Sequence, residues 1–158
     1  NQGLYFWRYY ITKLTLGFLA CCLLANNSLA ANLLHHNSAL QESLGFPFSE
    51  AVQVGDTLYL SGQVGNIPGT SELVAGGVGP EVVQILTQIK LTLERYGSDM
   101  DHVVKCTLFL ADINDWPAVN AIYRQHFKAP YPARSALAAS GLALNAAAEI
   151  ECIAVVKP

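Results

Sequence analysis

The chain has 158 residues, of which 52% are hydrophobic and only 13% charged, with 12 acidic and 9 basic side chains and a formal charge of −3. That is the length of one domain. The apolar excess excludes a disordered acidic tail, and the lack of a basic cluster argues against a nucleic-acid binder.

The first thirty residues carry two charges, Arg8 and Lys13, ahead of an uncharged run from Leu14 to Leu24. A basic flank, a short apolar stretch and the small-residue end Ser28-Leu29-Ala30 are the parts of a secretory signal peptide, so residues 1–30 read as a leader cut near Ala30 and the destination as periplasmic or secreted. Two alternatives stay open. One is an uncleaved anchor, although Asn26, Asn27 and Ser28 end the run short of the roughly 20 apolar residues that cross a bilayer. The other is lipidation at Cys21. Removal of the leader leaves 7 basic and 12 acidic groups, a charge of −5, with no membrane anchor.

Residues 31–46 have no clear hydrophobic period and read as an N-terminal tether. His35 and His36 have no third ligand nearby, so they are expected to face solvent and no metal site is expected. Residues 47–158 form the single domain. Within it, β-rich runs at Ala51–Val54 and Thr57–Val64 flank Gly55-Asp56, the signature of a hairpin. Gly79-Pro80 opens a helix whose apolar positions Val82, Val83, Ile85, Leu86, Ile89 and Leu93 form one side, with Gly97 as the stop. Val103–Leu110 is a strand. Asn114-Asp115 caps a second helix starting at Trp116-Pro117 and running to about Phe127, with Val119, Ile122 and Tyr123 buried. Two strands near 134–139 and 147–156 close the domain.

This order predicts an α/β (α+β) fold, a mixed sheet with two helices on one face. The other face includes the apolar 150–156 strand and needs a cover, which predicts a symmetric homo-oligomer. Cys106 and Cys152 are too few for a zinc site and sit in apolar strands; they read as buried thiols, with a bridge between them left open.

No phosphate loop, HExxH or GxSxG occurs. Arg134, in Pro132-Ala-Arg-Ser135, heads an apolar strand, and Glu149 and Glu151 share one strand face because side chains alternate. A cation in such a strand is paired with a carboxylate, placed at the rim, or open to an anionic ligand, and its planar fork suits a small carboxylate. His102 and His126 read as surface histidines at element ends, and Trp116 as helix packing.

Taken in order, Pro47-Phe-Ser49, Gly55-Asp56, Leu60-Ser-Gly-Gln-Val-Gly65, Val103-Val-Lys-Cys-Thr107, Asn114-Asp115, Val119-Asn120, Pro132-Ala-Arg-Ser135 and Glu149-Ile-Glu151 resemble the RidA/YjgF family of enamine and imine deaminases over roughly residues 47–156. The resemblance implies a chorismate-mutase-like fold, a homotrimer with sites in the clefts between subunits, and no cofactor. It makes Arg134 the holder of the substrate carboxylate and Glu149 the positioner of the hydrolytic water. Ser61 and Asn120 become polar site residues, and Phe48 stands in the place of a pocket tyrosine. The implied substrate is a small imino or enamino acid. Ala136 and Ala143 also depart from the family pattern. A trimer of the same fold that binds a keto acid without turning it over is the alternative, and RNA cleavage, ascribed to some relatives, is opposed by the charge of −5.

Overall fold

The computed structural model describes residues 32–158, so the leader expected at residues 1–30 lies outside the described residues. Within it, β1 (Leu33–His36), α1 (Ala39–Leu44), β2 (Ala51–Val54), β3 (Thr57–Leu60), β4 (Gln63–Val64), α2 (Val78–Arg95), β5 (Val103–Leu110), α3 (Trp116–His126), β6 (Ala133–Ala138) and β7 (Ala148–Val155) follow in chain order.

The hairpin forms as expected, with Val54 opposite Thr57 and a two-residue turn in which Gly55 takes φ 58°. That left-handed value is cheap only without a Cβ. The tether expected over 31–46 is instead ordered along much of its length. Its strand β1 pairs antiparallel with β2 through Leu33–Val54 to His36–Ala51, and Ser38 caps α1 by accepting the Gln41 N–H at 3.2 Å. Backbone pairing orders this segment although its leucines stay largely exposed, so no hydrophobic period announces it. His35 lies 3.2 Å from the Ser49 hydroxyl, and His36 stacks on Tyr96.

The sheet runs β1-β2-β3-β7-β5-β6, with β4 pairing on β7. The last strand in sequence is therefore central. Among the described residues only β5 and β6 are parallel, joined through α3, as a crossover connection requires. Burial alternates along the two central strands. Cys106, Leu108 and Leu110 of β5, with Ala148, Ile150, Cys152 and Ala154 of β7, are buried in the core with Val82, Ile85, Leu86, Ile89 and Leu93 of α2 and Val119 and Tyr123 of α3. Val83 departs from the expected stripe and is 43% exposed, because a 100° step per residue turns it away from Val82. The opposite sheet face presents Lys105, Thr107 and Phe109 beside Glu149, Glu151 and Ile153, and none of these is buried. Within this chain the helices cover one face.

Two further details differ from expectation. Asp112, rather than Asn114 or Asp115, supplies the capping carboxylate, accepting the Asn114 N–H at 2.9 Å in the 3₁₀ turn before α3. Cys106 and Cys152 are direct register partners on β5 and β7 and form a disulfide rather than two free thiols.

Candidate active site

Arg134 lies on β6 opposite Cys106 of β5, so it shares the helix-covered face of the sheet. Its Nη2 donates to Asn120 Oδ1 at 2.6 Å, and its guanidinium carbon sits 5.3 Å from the Trp116 ring centroid and 4.8 Å from that of Tyr123. Residues 116, 120 and 123 recur at i, i+4 and i+7, one face of α3. Two π-faces and an amide oxygen thus hold the cation. Among the described residues no carboxylate lies within ion-pairing distance of it. The internal salt bridge that residue chemistry alone allowed is therefore not formed. Tyr123 is 4% exposed and its hydroxyl has no hydrogen-bond partner among the described residues. Burial pushes that phenol up to about 12, with the Arg134 charge pulling the other way.

Glu149 lies on β7 opposite Phe109 of β5 and Val64 of β4, on the face away from the helices. Its carboxylate rests over Gly62: a Cβ added there would overlap Oε1 and stand 3.0 Å from Cδ. Among the described residues neither carboxylate oxygen has a hydrogen-bond or ion-pair partner. Glu151 is on the same face and exposed.

Ser61, next to Gly62, donates its hydroxyl to the Ser49 carbonyl at 2.7 Å, which leaves its oxygen free only to accept. Phe48, just before Ser49, is 50% exposed and stacks on Phe46 at 5.2 Å. Glu50 anchors this corner. It accepts from Arg95 Nη1 and the Tyr96 hydroxyl, each at 2.6 Å, and from the Ser38 N–H at 3.0 Å. Burial raises the Glu50 carboxyl, but the Tyr96 and Arg95 hydrogen bonds outweigh it and leave it below the ordinary carboxylate value.

The structure therefore brings the expected residues together in two groups. Arg134 joins Asn120; Glu149 joins the segment of Ser61, Ser49 and Phe48 through Gly62. Arg134 is level with Cys152, three residues along β7 from Glu149 and two strands away, roughly 10 Å along the strands and about 10 Å across them, and the two point to opposite faces. Trp116 and Tyr123, expected only to pack in their helix, and Gly62 are the neighbours of the candidate residues that the sequence did not mark as such. The helical spacing of 116, 120 and 123 was the available signal for the first two; nothing local marks Gly62. His102 pairs with Asp99 at 2.7 Å and His126 bonds the Ile122 carbonyl, both at element ends. Among the described residues no group of three His, Cys, Asp or Glu side chains converges as a metal site.

A family model described as Endoribonuclease L-PSP matches residues 41–156. The 2-iminobutanoate/2-iminopropanoate deaminase of Homo sapiens is 45% identical over 112 residues, covering 71% of this chain and 82% of the relative. The chain belongs to the RidA/YjgF family. A second deaminase with the same name as the human relative, from Dermatophagoides farinae, is 43% identical over 111 residues, covering 70% of this chain and 87% of the relative. Among solved structures, RidA from the Antarctic bacterium Psychrobacter superposes with TM-score 0.68 at 31% identity, covering 80% of this chain and 98% of that one. The mixed sheet with its helix-covered face is thus the RidA/YjgF fold, and the match starts within α1, ahead of the expected domain start at residue 47.

Proposed function

We propose that this chain hydrolyses the 2-enamines and 2-imines of small amino acids to 2-keto acids and ammonia, as a symmetric homotrimer in which Arg134 of one copy and Glu149 of another complete each site. The observation that carries this reading is the division of the site: a cation without a carboxylate partner on one face, an unbonded carboxylate on the other. Relatives named as deaminases of iminobutanoate and iminopropanoate support the substrate class. The exposed sheet face supports self-association, since a second copy is the simplest cover for Phe109 and Ile153.

The chemistry asks mainly for positioning. The Arg134 fork binds the substrate carboxylate, with Trp116 and Tyr123 fixing its plane. Protonation at carbon turns an enamine into its imine. Water then adds to the C=N carbon while Glu149 takes one of its protons and passes it to nitrogen, giving a carbinolamine; Glu149 next takes the hydroxyl proton and delivers it to the same nitrogen, so that the C–N bond breaks, the C=O bond forms and ammonia leaves. Each turnover consumes one imine and one water and releases one keto acid and one ammonia. Ser61 can accept a hydrogen bond from the water, and Phe48 supplies an apolar wall without a hydroxyl.

The test is hybrid complementation. Imino acid is generated in situ by an amino-acid oxidase and keto-acid release is followed for Arg134→Ala, for Glu149→Gln, and for the two co-refolded in equal amounts. Each alone is expected to be inactive, and random mixing restores about a quarter of wild-type sites, since one interface in four then pairs two intact halves. No recovery would place both groups in one copy. Ligand-induced stabilisation by a keto acid without turnover in the wild type would favour the binding-only alternative.

The same reading includes export. The leader-like residues 1–30 and the Cys106–Cys152 bridge support an oxidising, periplasmic or secreted location, where disulfides persist. Alkylation of the protein in lysates prepared at acid pH checks it: two protected cysteines are expected, and free thiols would speak against it.

A further inference from the structure

Glu81, in the first turn of α2, is 5% exposed, a costly place for a carboxylate that does not touch Arg134. Its Oε2 accepts the backbone N–H of Ala147 at 2.8 Å, across 66 residues of sequence. Ala147 immediately precedes β7 and stands two residues before Glu149. Its carbonyl also accepts the Ala111 N–H at 2.9 Å, so the entrance to β7 is held from both sides.

The other flank of Glu149 meets the same residue. Val64 of β4 is its register partner, and the next residue, Gly65, lies so close to α2 that a Cβ there would be 2.7 Å from the Glu81 Cα and Cβ. One side chain and its backbone thus index β7 and β4 against the start of α2. We propose that Glu81 is a positioning residue that sets the height of β7 and so places the Glu149 carboxylate over Gly62. This rests on the role assigned to Glu149 above. What matters on this account is reach: an acceptor at the length of a glutamate side chain, not its charge.

Two conservative variants separate reach from charge. Glu81→Gln keeps an acceptor at full length, and Glu81→Asp keeps the charge on a side chain one methylene shorter. Keto-acid release from an in-situ imine should show Glu81→Gln within about threefold of wild type. Glu81→Asp should lose about tenfold in kcat with KM little changed, because the Arg134 clamp is untouched. In a Gly62→Ala background, where the added methyl already displaces the Glu149 carboxylate while turnover stays measurable, Glu81→Asp should cost little further, the non-additivity of residues that act through one another. A Gln variant impaired as much as Asp, an Asp variant with wild-type kcat, a loss carried by KM, or additive losses in the double variant would each overturn the proposal. Full turnover by Glu149→Gln alone would instead refute the role of Glu149, and so the reading on which the proposal rests.

Discussion

The two halves of the candidate site solve opposite problems. Arg134 is enclosed: two aromatic faces and the Asn120 amide fix its plane, and among the described residues no carboxylate neutralises its charge. Glu149 is bare: it sits on the open face without a hydrogen-bond partner among the described residues, and its position comes from the strands beneath it. A cation can be held by π-faces and still be available, whereas a carboxylate available to water has to be placed by backbone rather than by partners.

The largest break in that comparison is expected at the cationic half. Arg134→Lys keeps the charge but loses the bidentate fork and its fit between the rings, and kcat/KM for the imine should fall about 100-fold, with KM carrying most of it. A Lys variant near wild type would mean that charge alone suffices. At the carboxylate half, Gly62→Ala pushes a methyl into the place of Oε1, so kcat should fall about tenfold while binding of a keto acid, measured by calorimetry, changes little.

Glu50 sharpens the contrast, because it braces the segment bearing Ser49 and Ser61. Glu50→Gln should cost about 1–2 kcal/mol near neutral pH. The folded-state value lies below the ordinary one, so its contribution is present above the ordinary carboxylate range and is lost as pH falls through the lowered value. Melting curves of wild type and variant should therefore converge in acid; a gap that persists there would assign the loss to packing. The smallest effect concerns Tyr123, whose buried hydroxyl lacks a partner. Tyr123→Phe should raise the melting temperature by about 4 °C and leave kcat unchanged. A drop in kcat would show that the hydroxyl gains a partner once the substrate is bound.

Much of this was legible in the residues. Gly55-Asp56 between β-rich runs specified the hairpin, the spacing from Val82 to Leu93 specified α2, and Val103–Leu110 matched β5 to the residue. The ordered motifs named the family and its candidate residues. Four things needed the folded chain. The strand β1 is set by backbone pairing while Leu33 and Leu34 stay exposed, so it carries no apolar stripe. The placement of β7 between β3 and β5 is a long-range pairing that local patterns do not encode. The separation of Arg134 and Glu149 onto opposite faces depends on register across three strands, and Glu81 reads in sequence as one more acid in a helix's first turn.

Because the guanidinium and the glutamate look away from each other, a solitary polypeptide on the proposed plan owns both tools and can use neither. Catalysis on this plan is a property of encounter: newly made chains are expected to stay silent until they find their kin, and dilution far enough to part them is expected to switch the enzyme off without altering a single bond.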